Sequence, residues 1–447
     1  MDSDDTEARH MILTEGQTSR ELLEEWPHLS AAERLQAFEA LPRGHADDFF
    51  LKLDTREQFE IIHLLPEEER RIWLRLLPPD DAADVIQCAP VEQRAHWIAE
   101  LDEVSRREVN ALLAYKEDAA GGLMNPRFAR LRPNMTLDEA ISYLHRQAAH
   151  VETLYYAYAL DDSQRLLGVV SIRDLFAADP SKRVQDVMRT KFISVSEQTD
   201  QEEVARLFRD HHLLAIPVLD SAGIMQGIVT VDDIVDVVEQ ETSEDIQKAG
   251  GMEALEGPYL QIAFWRMVKK RAGWLTILFV GEMLTATAMG FFEHEIARAV
   301  VLALFVPLII SSGGNSGSQA STLVIRAMAL GEVRLRDWWK IFARESSAGV
   351  VLGSILAVVG IARILIWQGI WRPYGVHYLA IAFTVACSLV GVVLFGTLAG
   401  SMLPFVLRRF HLDPASASAP FVATLVDVSG LVIYFTIASI ILRGRLL

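Results

Sequence analysis

Five apolar stretches after residue 268 constrain this chain more than any other feature. They run roughly Trp274–Phe292, Ile296–Ser312, Ser346–Trp367, Tyr378–Leu403 and Pro420–Leu442. A helix needs about 20 predominantly apolar residues to cross a bilayer, so five membrane helices are expected, with lipid as their solvent. Lys269, Lys270 and Arg271 precede the first stretch. Arg334, Arg336, Lys340 and Arg344 lie between the second and third, and Arg408 and Arg409 between the fourth and fifth. The opposite connections carry Arg298 and Arg372. Because Lys and Arg collect on the cytoplasmic side, the long N-terminal part is expected in the cytoplasm. An odd number of spans then puts the C-terminus outside, against a weak opposing signal from Arg443 and Arg445. Trp274, Trp367, Trp371 and Tyr374 fit an interfacial aromatic belt.

Charge divides the chain at the same place. Residues 1–268 hold 51 acidic against 27 basic side chains, and residues 269–447 hold 8 against 15. The acidic excess argues against a nucleic-acid partner, which needs a basic face to neutralise phosphates. Cys88 and Cys387 cannot build a disulfide framework, and the acidic start MDSDDTEARH is not a signal peptide. The absence of a nucleophile–base spacing or a phosphate loop speaks against an enzyme.

Three features suggest more than an anchor. Asp427 lies inside the fifth stretch, and a carboxylate at membrane depth is costly unless it faces a polar cavity or a neighbouring helix. Pro307 and the run Ser311–Gln319 (SSGGNSGSQ) interrupt the second stretch. They read either as unwound backbone whose carbonyls face an ion or as a glycine-rich exit turn. Gly391, Gly396 and Gly400 are spaced for close helix packing. Glu282 in the first stretch either lines the same path or pairs with a cation near the surface. Carboxylate and carbonyl oxygens suit Mg2+ or Ca2+ and not a thiophilic metal, and Mg2+ usually keeps several waters and takes one or two carboxylates. A two-fold dimer, the commonest oligomer, would supply two Asp427 side chains to one hydrated cation.

The N-terminal part contains two repeats. Leu29, Leu41, Leu53, Leu65, Leu77, Leu101 and Leu113 recur at steps of 12, with Ala89 in the gap. The residues that follow them are mostly Ser, Asp or Pro, which start helices, so short helices joined by tight turns are expected. Asp80 and Asp84 share one face of such a helix; a solvated acidic face is the plain alternative. Further on, Gly168–Asp174 (GVVSIRD) returns as Gly227–Asp233 (GIVTVDD), a shift of 59. Two βαββα units of this kind pack as a pair, with the hydroxyl and Asp of each motif placed to hold a ribose. The segment after them crowds Asp233, Asp236, Glu241, Glu244 and Asp245 at helical spacings, which costs a few tenths of a kcal/mol per like-charged pair and which divalent cations would relieve.

These parts, in this order, resemble the MgtE family of magnesium channels along essentially the whole chain. The most specific motifs are Tyr115–Met124 (YKEDAAGGLM), Pro307 with Gly313–Gln319 (GGNSGSQ), and Asp413-Pro-Ala with Pro420 and Thr424–Asp427 (TLVD). The resemblance implies a multi-domain membrane protein with four parts. They are an all-α superhelical N domain (1–123), paired α/β cystathionine-β-synthase (CBS) domains (124–237), a connecting plug helix (238–268) and a five-helix transmembrane pore domain (269–447). It implies a homodimer in the plasma (inner) membrane that conducts Mg2+ and closes when cytoplasmic Mg2+ fills acidic sites. Asp427 would be the pore acid, with Ala423, Thr424, Gly314 and Asn315 beside it. Regulatory ligands would be Asp48, Asp80, Asp84, Asp200, Glu202, Asp233, Asp236, Glu241, Glu244, Asp245 and Asp413. ATP, bound by some members, would meet Tyr156, Arg173 and Asp174. His212, where some members have an acid, Ala419, where some have Asn, and Glu282 depart from the pattern.

The expected mechanism is charge linkage: the acidic part repels itself when few ions are bound, and Mg2+ draws the plug helices together over the pore. The competing reading is a divalent cation transporter coupled to Na+ or H+. A membrane-tethered nucleotide sensor is a third, and it leaves Asp427 without a role.

Overall fold

The computed structural model describes residues 19–255, 259 and 262–443; the acidic first ten residues and Arg445 lie outside them. The chain forms two compact units, Met1–Gln240 and Glu241–Leu447.

In the first unit the 12-residue period becomes a stack of short helices. After α1 (Ser19–Glu25) come α2 (Ala31–Glu39), α3 (Arg43–Phe50), α4 (Thr55–Leu64), α5 (Glu67–Leu76), α6 (Pro79–Cys88), α7 (Val91–Glu100) and α8 (Glu103–Leu112). Each of α2–α8 starts directly after Ser30, Pro42, Asp54, Pro66, Pro78, Pro90 or Asp102. Ser30 forms a capping box with Glu33, and the Asp54 carboxylate accepts from the Glu57 N–H at 2.8 Å. Proline needs no cap, since its missing N–H is one that a helix start leaves unbonded anyway. The recurring Leu53, Leu65, Leu77 and Leu101 are at most 5% exposed. They close a core around Trp26, Phe38, Phe49, Phe50, Ile62 and Trp97, in which α1 packs on α3, α2 on α4, α4 on α6 and α6 on α8.

The second repeat folds into two three-stranded sheets, β1 (Arg130–Leu131), β2 (Tyr156–Leu160) and β3 (Leu166–Ser171), then β4 (Val195–Ser196), β5 (Ala215–Leu219) and β6 (Met225–Thr230). In each, the first pair is parallel and the second antiparallel. The 59-residue shift holds to the residue: Tyr156 pairs with Ser171 as Ala215 pairs with Thr230, and both sheets bulge at the same step. Before them comes α9 (Ala120–Leu123), and between them run α10 (Leu137–Gln147), α11 (Ile172–Ala177), α12 (Val184–Val187) and α13 (Gln201–His211). The sheets join through the Leu166 N–H to the Gly223 carbonyl and the Met225 N–H to the Gln164 carbonyl. The second repeat shares the helical stack's core through Val195, Phe208, Ile216 and Val229. A 19-residue helix, α14 (Val231–Ala249), follows β6 without a break.

Among the described residues, the second unit holds five helices long and apolar enough to span a membrane. Its helices are α15 (Phe264–Phe291), the short α16 (Glu293–Arg298) and α17 (Val300–Ala303), then α18 (Val306–Ala329), α19 (Trp338–Ile370), α20 (Tyr378–Arg409) and α21 (Ala419–Leu442). The second span corrects the sequence expectation. The helix runs unbroken from Val306 through Ser311–Gln319 to Ala329, and the chain breaks earlier, around Ala299 and Phe305. Pro307 causes no break because it sits in the helix's first turn, where it removes no needed N–H. The glycines serve contact instead of unwinding. A Cβ on Gly313 would lie 2.5 Å from Val392 Cγ1, and one on Gly317 2.8 Å from the Gly396 carbonyl oxygen. One on Gly396 or Gly400 would strike the carbonyl of Gly313 or Gly317. Gly396 and Gly400 of α20 therefore pack closely, as their spacing predicts, against glycines expected to form a break, while Gly391 faces Ile433 and Ile437 of α21. Gly400→Val should destabilise the membrane unit by about 3 kcal/mol or more, since neither backbone can yield. A normal thermal midpoint and normal yield of monodisperse protein for that variant would refute the contact. Tyr374 also departs from the aromatic belt: it is 7% exposed, takes a hydrogen bond from Arg363 and packs on Phe305.

Candidate cation sites

Asp427 projects from α21 into a cavity of about 420 Å3 in the membrane unit. Glu282 and Thr285 of α15 line the same space. So do Pro307, Ile310, Ser311, Gly314, Asn315 and Ser318 of α18, and Ala423 of α21. The α18 residues fall at i, i+3, i+4, i+7, i+8 and i+11, one face of the helix. The polar atoms offered are therefore two carboxylates, hydroxyls and an amide. The backbone carbonyls expected from an unwound segment stay in the helical ladder. Ser318 Oγ donates to the Ala419 carbonyl at 3.2 Å, so alanine at that position keeps a role through its backbone. Of the predicted pore residues, Asp427, Ala423, Gly314 and Asn315 line the cavity. Thr424 does not: its hydroxyl donates to the Pro420 carbonyl at 3.0 Å and its methyl meets Gly281. Glu282, whose role the sequence left open, faces the cavity.

In the first unit, carboxylates distant in sequence converge. Asp80, Asp81 and Asp84 of α6 meet Asp232, Asp233 and Asp236 from the first turns of α14, with Glu152 and Glu117 beside them. Asn125 ties the group together: its amide donates to Asp80 Oδ1 at 3.0 Å and to Glu152 Oε2 at 2.7 Å. Asp80 is 6% exposed. Burial, and then Asp233, Asp81 and Glu152, hold its carboxyl well above the usual carboxylate range. Burial and Asp81 do the same to Asp84. Burial and Glu152 push Asp81 up to about 6. Burial pushes Asp233 up to about 7 despite hydrogen bonds from Thr230, whose hydroxyl donates at 2.7 Å. Asp233 and Asp236 were expected from their helical spacing, and Asp80 and Asp84 from the family resemblance. Asp81, Glu117, Asp232 and Glu152 join them through tertiary packing, although the runs Asp80–Asp81 and Asp232–Asp233 were a usable signal. Asp48 is exposed on α3. Asp200 and Glu202 are exposed at the start of α13, where Asp200 caps the helix by accepting from the Glu202 N–H at 2.9 Å. His212 closes α13 in the left-handed region at φ 50°, a conformation in which Asp, Asn and His are the enriched residues after Gly.

The folded-state pKa values of these carboxyls are raised, so the arrangement is most stable with the groups protonated, below their unfolded values near 4. It loses stability as pH rises through about 6 to 7, the values for Asp81 and Asp233. With divalent cations chelated, thermal unfolding of the first unit should fall by at least about 5 °C between pH 5 and pH 8; a midpoint that rises over that interval would refute the cluster.

A third group lies in the second unit. Lys248 Nζ donates to Asp413 Oδ2 at 2.7 Å and also pairs with Glu244, one turn back on α14. Burial opposes the ammonium charge, but those bonds raise its pKa above the usual lysine value. Burial, then Asp413 and Glu241, push Asp245 up to about 6. Asp413 also accepts from the Ala415 N–H at 2.8 Å, fixing the turn before α21. Four expected ligands, Glu241, Glu244, Asp245 and Asp413, are thus brought together around one lysine that the sequence reading passed over.

For the expected nucleotide contacts, Tyr156 is half-buried at the start of β2, Arg173 is exposed on α11, and Asp174 pairs with Arg189 at 3.1 Å. The Asp233 of the second ribose-type motif belongs to the acidic cluster.

Three family models match the chain. The family described as divalent cation transporter (MgtE) matches residues 306–437, the MgtE intracellular N domain matches 18–118, and the CBS domain matches 120–181 and 184–240. The chain is 40% identical over 446 residues to the magnesium transporter MgtE of Thermus thermophilus, covering 98% of this chain and 96% of that one. It is 31% identical over 394 residues to the magnesium transporter MgtE of Bacillus subtilis, covering 88% and 85%. A crystal structure of the cytosolic domain of the Mg2+ channel MgtE in complex with ATP aligns at 40% identity over 52% of this chain and 95% of that one, with a TM-score of 0.47.

Proposed function

The chain belongs to the MgtE family of divalent cation transporters, and from that premise we propose that it passes Mg2+ along the Asp427 cavity under the control of its own acidic sites. The observation that carries this reading is the cavity itself. It combines a carboxylate at membrane depth with a second acid, Glu282, and a polar face of α18. Such a site suits a hard cation that retains part of its water. In a homodimer in the plasma membrane, two such cavities would face one path on the two-fold axis. The acidic cluster at Asp80, Asp81, Asp84, Asp233 and Asp236 serves as the cytoplasmic sensor. Its carboxyls repel one another at neutral pH, and Mg2+ bound between α6 and α14 removes that repulsion. The group at Glu241, Glu244, Asp245 and Asp413 is the second sensor, next to the membrane helices. Asp48, Asp200 and Glu202 would join a regulatory site only if a partner or a change of arrangement brought them together. ATP would be read by the first CBS repeat, where Tyr156, Arg173 and Asp174 remain outside the acidic cluster.

The test is Mg2+ flux into liposomes holding the purified protein, measured with an internal indicator. Flux should follow the Mg2+ gradient alone and fall as Mg2+ accumulates on the side of the N-terminal unit. Strict dependence on an imposed Na+ or proton gradient would instead assign the chain to coupled transport.

A further inference from the structure

A different set of ligands gathers in the helical stack. Glu67 stands in the first turn of α5, and His96 and Glu100 stand one turn apart on α7. One ligand atom from each lies within 4.8 Å of the others. His96 Nε2 is 3.4 Å from Glu100 Oε1 and 3.7 Å from Glu67 Oε1. Those separations exceed the usual N–H···O range of 2.7–3.2 Å. They are close to the edge of a tetrahedron whose metal–ligand bonds are about 2.1 Å, which works out at about 3.4 Å.

Glu100 supplies an independent sign. It is 3% exposed, and its Oε2 is buried with no hydrogen-bond partner among the described residues. A carboxylate oxygen left that way is costly. Arg70 does not remove the cost. Its guanidinium reaches Glu100 Oε1 at 3.3 Å, while it also serves the Ile62 and Leu65 carbonyls and lies over Trp97. Glu67 and His96 are open to solvent, which gives an ion an entry path.

We propose that Glu67, His96 and Glu100 form a site for a borderline divalent transition-metal ion such as Zn2+, which ties α5 to α7. An imidazole with two carboxylates suits Zn2+, Co2+ or Ni2+, whereas Mg2+ prefers oxygen ligands throughout. The site is therefore chemically distinct from the acidic groups and should fill when Mg2+ has saturated them.

The test uses the full chain in detergent at saturating Mg2+, with Zn2+ titrated against a chromophoric chelator. The wild type should bind Zn2+ at least about ten-fold more tightly than His96→Gln or Glu67→Gln, since even outer partners of a metal ligand are worth 10–100-fold. Both substituted side chains are exposed, so the variants should fold. Co2+ in the wild type should give the intense visible bands of a four-coordinate site, and His96→Gln should lose them. Zn2+ should raise the thermal midpoint of the wild type and leave that of His96→Gln unchanged. Equal Zn2+ affinity in wild type and His96→Gln would overturn the proposal. So would Zn2+ binding that survives His96→Gln and disappears in Asp80→Asn, because the ion would then belong to the acidic cluster.

Discussion

Asp427→Asn is expected to lower Mg2+ flux through the reconstituted protein at least about 100-fold, with Asp427→Ala no better. A divalent cation held one water layer, about 4 Å, from a carboxylate gains about 4 kcal/mol even at an effective dielectric of about 40. That is on the order of a thousand-fold in occupancy. The side chain borders an open cavity lined by Ser311, Asn315 and Ser318, so asparagine fits the same space and the loss should be one of charge and not of folding. Glu282 borders the same cavity from α15, and Glu282→Gln, which leaves the Asp427 carboxylate in place, should cost less than Asp427→Asn. The comparison is made at equal reconstituted protein with an internal Mg2+ indicator. Unimpaired flux through Asp427→Asn would remove the carboxylate from the conduction path and leave the cavity without its proposed role.

What could be read from the sequence depended on whether the relevant period was local. The 12-residue repeat is legible because one buried leucine and one helix-starting residue recur in each copy, so α2–α8 begin where Ser, Pro or Asp stands. The 59-residue shift is equally legible, because two strands and a helix start repeat together. The second span was misread for a physical reason. Glycine and serine look like a helix break when only hydropathy and propensity are weighed. In a membrane, small residues are what let two backbones approach, and Gly313 and Gly317 need Gly396 and Gly400 to make sense. The partners lie about 80 residues away, outside any local window. Glu152 and Asn125 were missed similarly, since only folding brings them to Asp80. Lys248 is the converse case. The Glu244–Lys248 spacing reads as an ordinary helix-surface pair, and only the bond to Asp413 shows it at the centre of an acidic group.

That lysine sharpens the remaining prediction. Glu244 and Asp413 pair with Lys248, and Asp245 and Glu241 stand beside them, so the carboxylates outnumber the lysine and a divalent cation offsets part of the excess. Replacing Glu241 and Glu244 with Gln and Asp245 with Asn leaves the Lys248–Asp413 pair, already neutral, with no remaining demand for the ion. A gate driven from 1:99 to 99:1 needs about 5.5 kcal/mol of differential binding. If each of the three carboxylates contributes on the order of 1 kcal/mol, losing all of them removes about 3 kcal/mol, which returns a gate that is 99:1 closed to about 1:1. The triple variant should therefore pass roughly half of its maximal current at Mg2+ concentrations that silence the wild type. Removing only one carboxylate should shift the half-inhibiting concentration several-fold, because the sites share the work. Lys248→Gln adds a check of sign. It deletes the bound positive charge, strengthens the pull on Mg2+, and should move closure to lower Mg2+. Patch-clamp recording across a Mg2+ titration reads all three. Normal shut-off in the triple variant would exclude the end of α14 as a sensor, and a Lys248→Gln channel that needs more Mg2+ to close would show that the lysine works as a latch and not as a competitor of the ion.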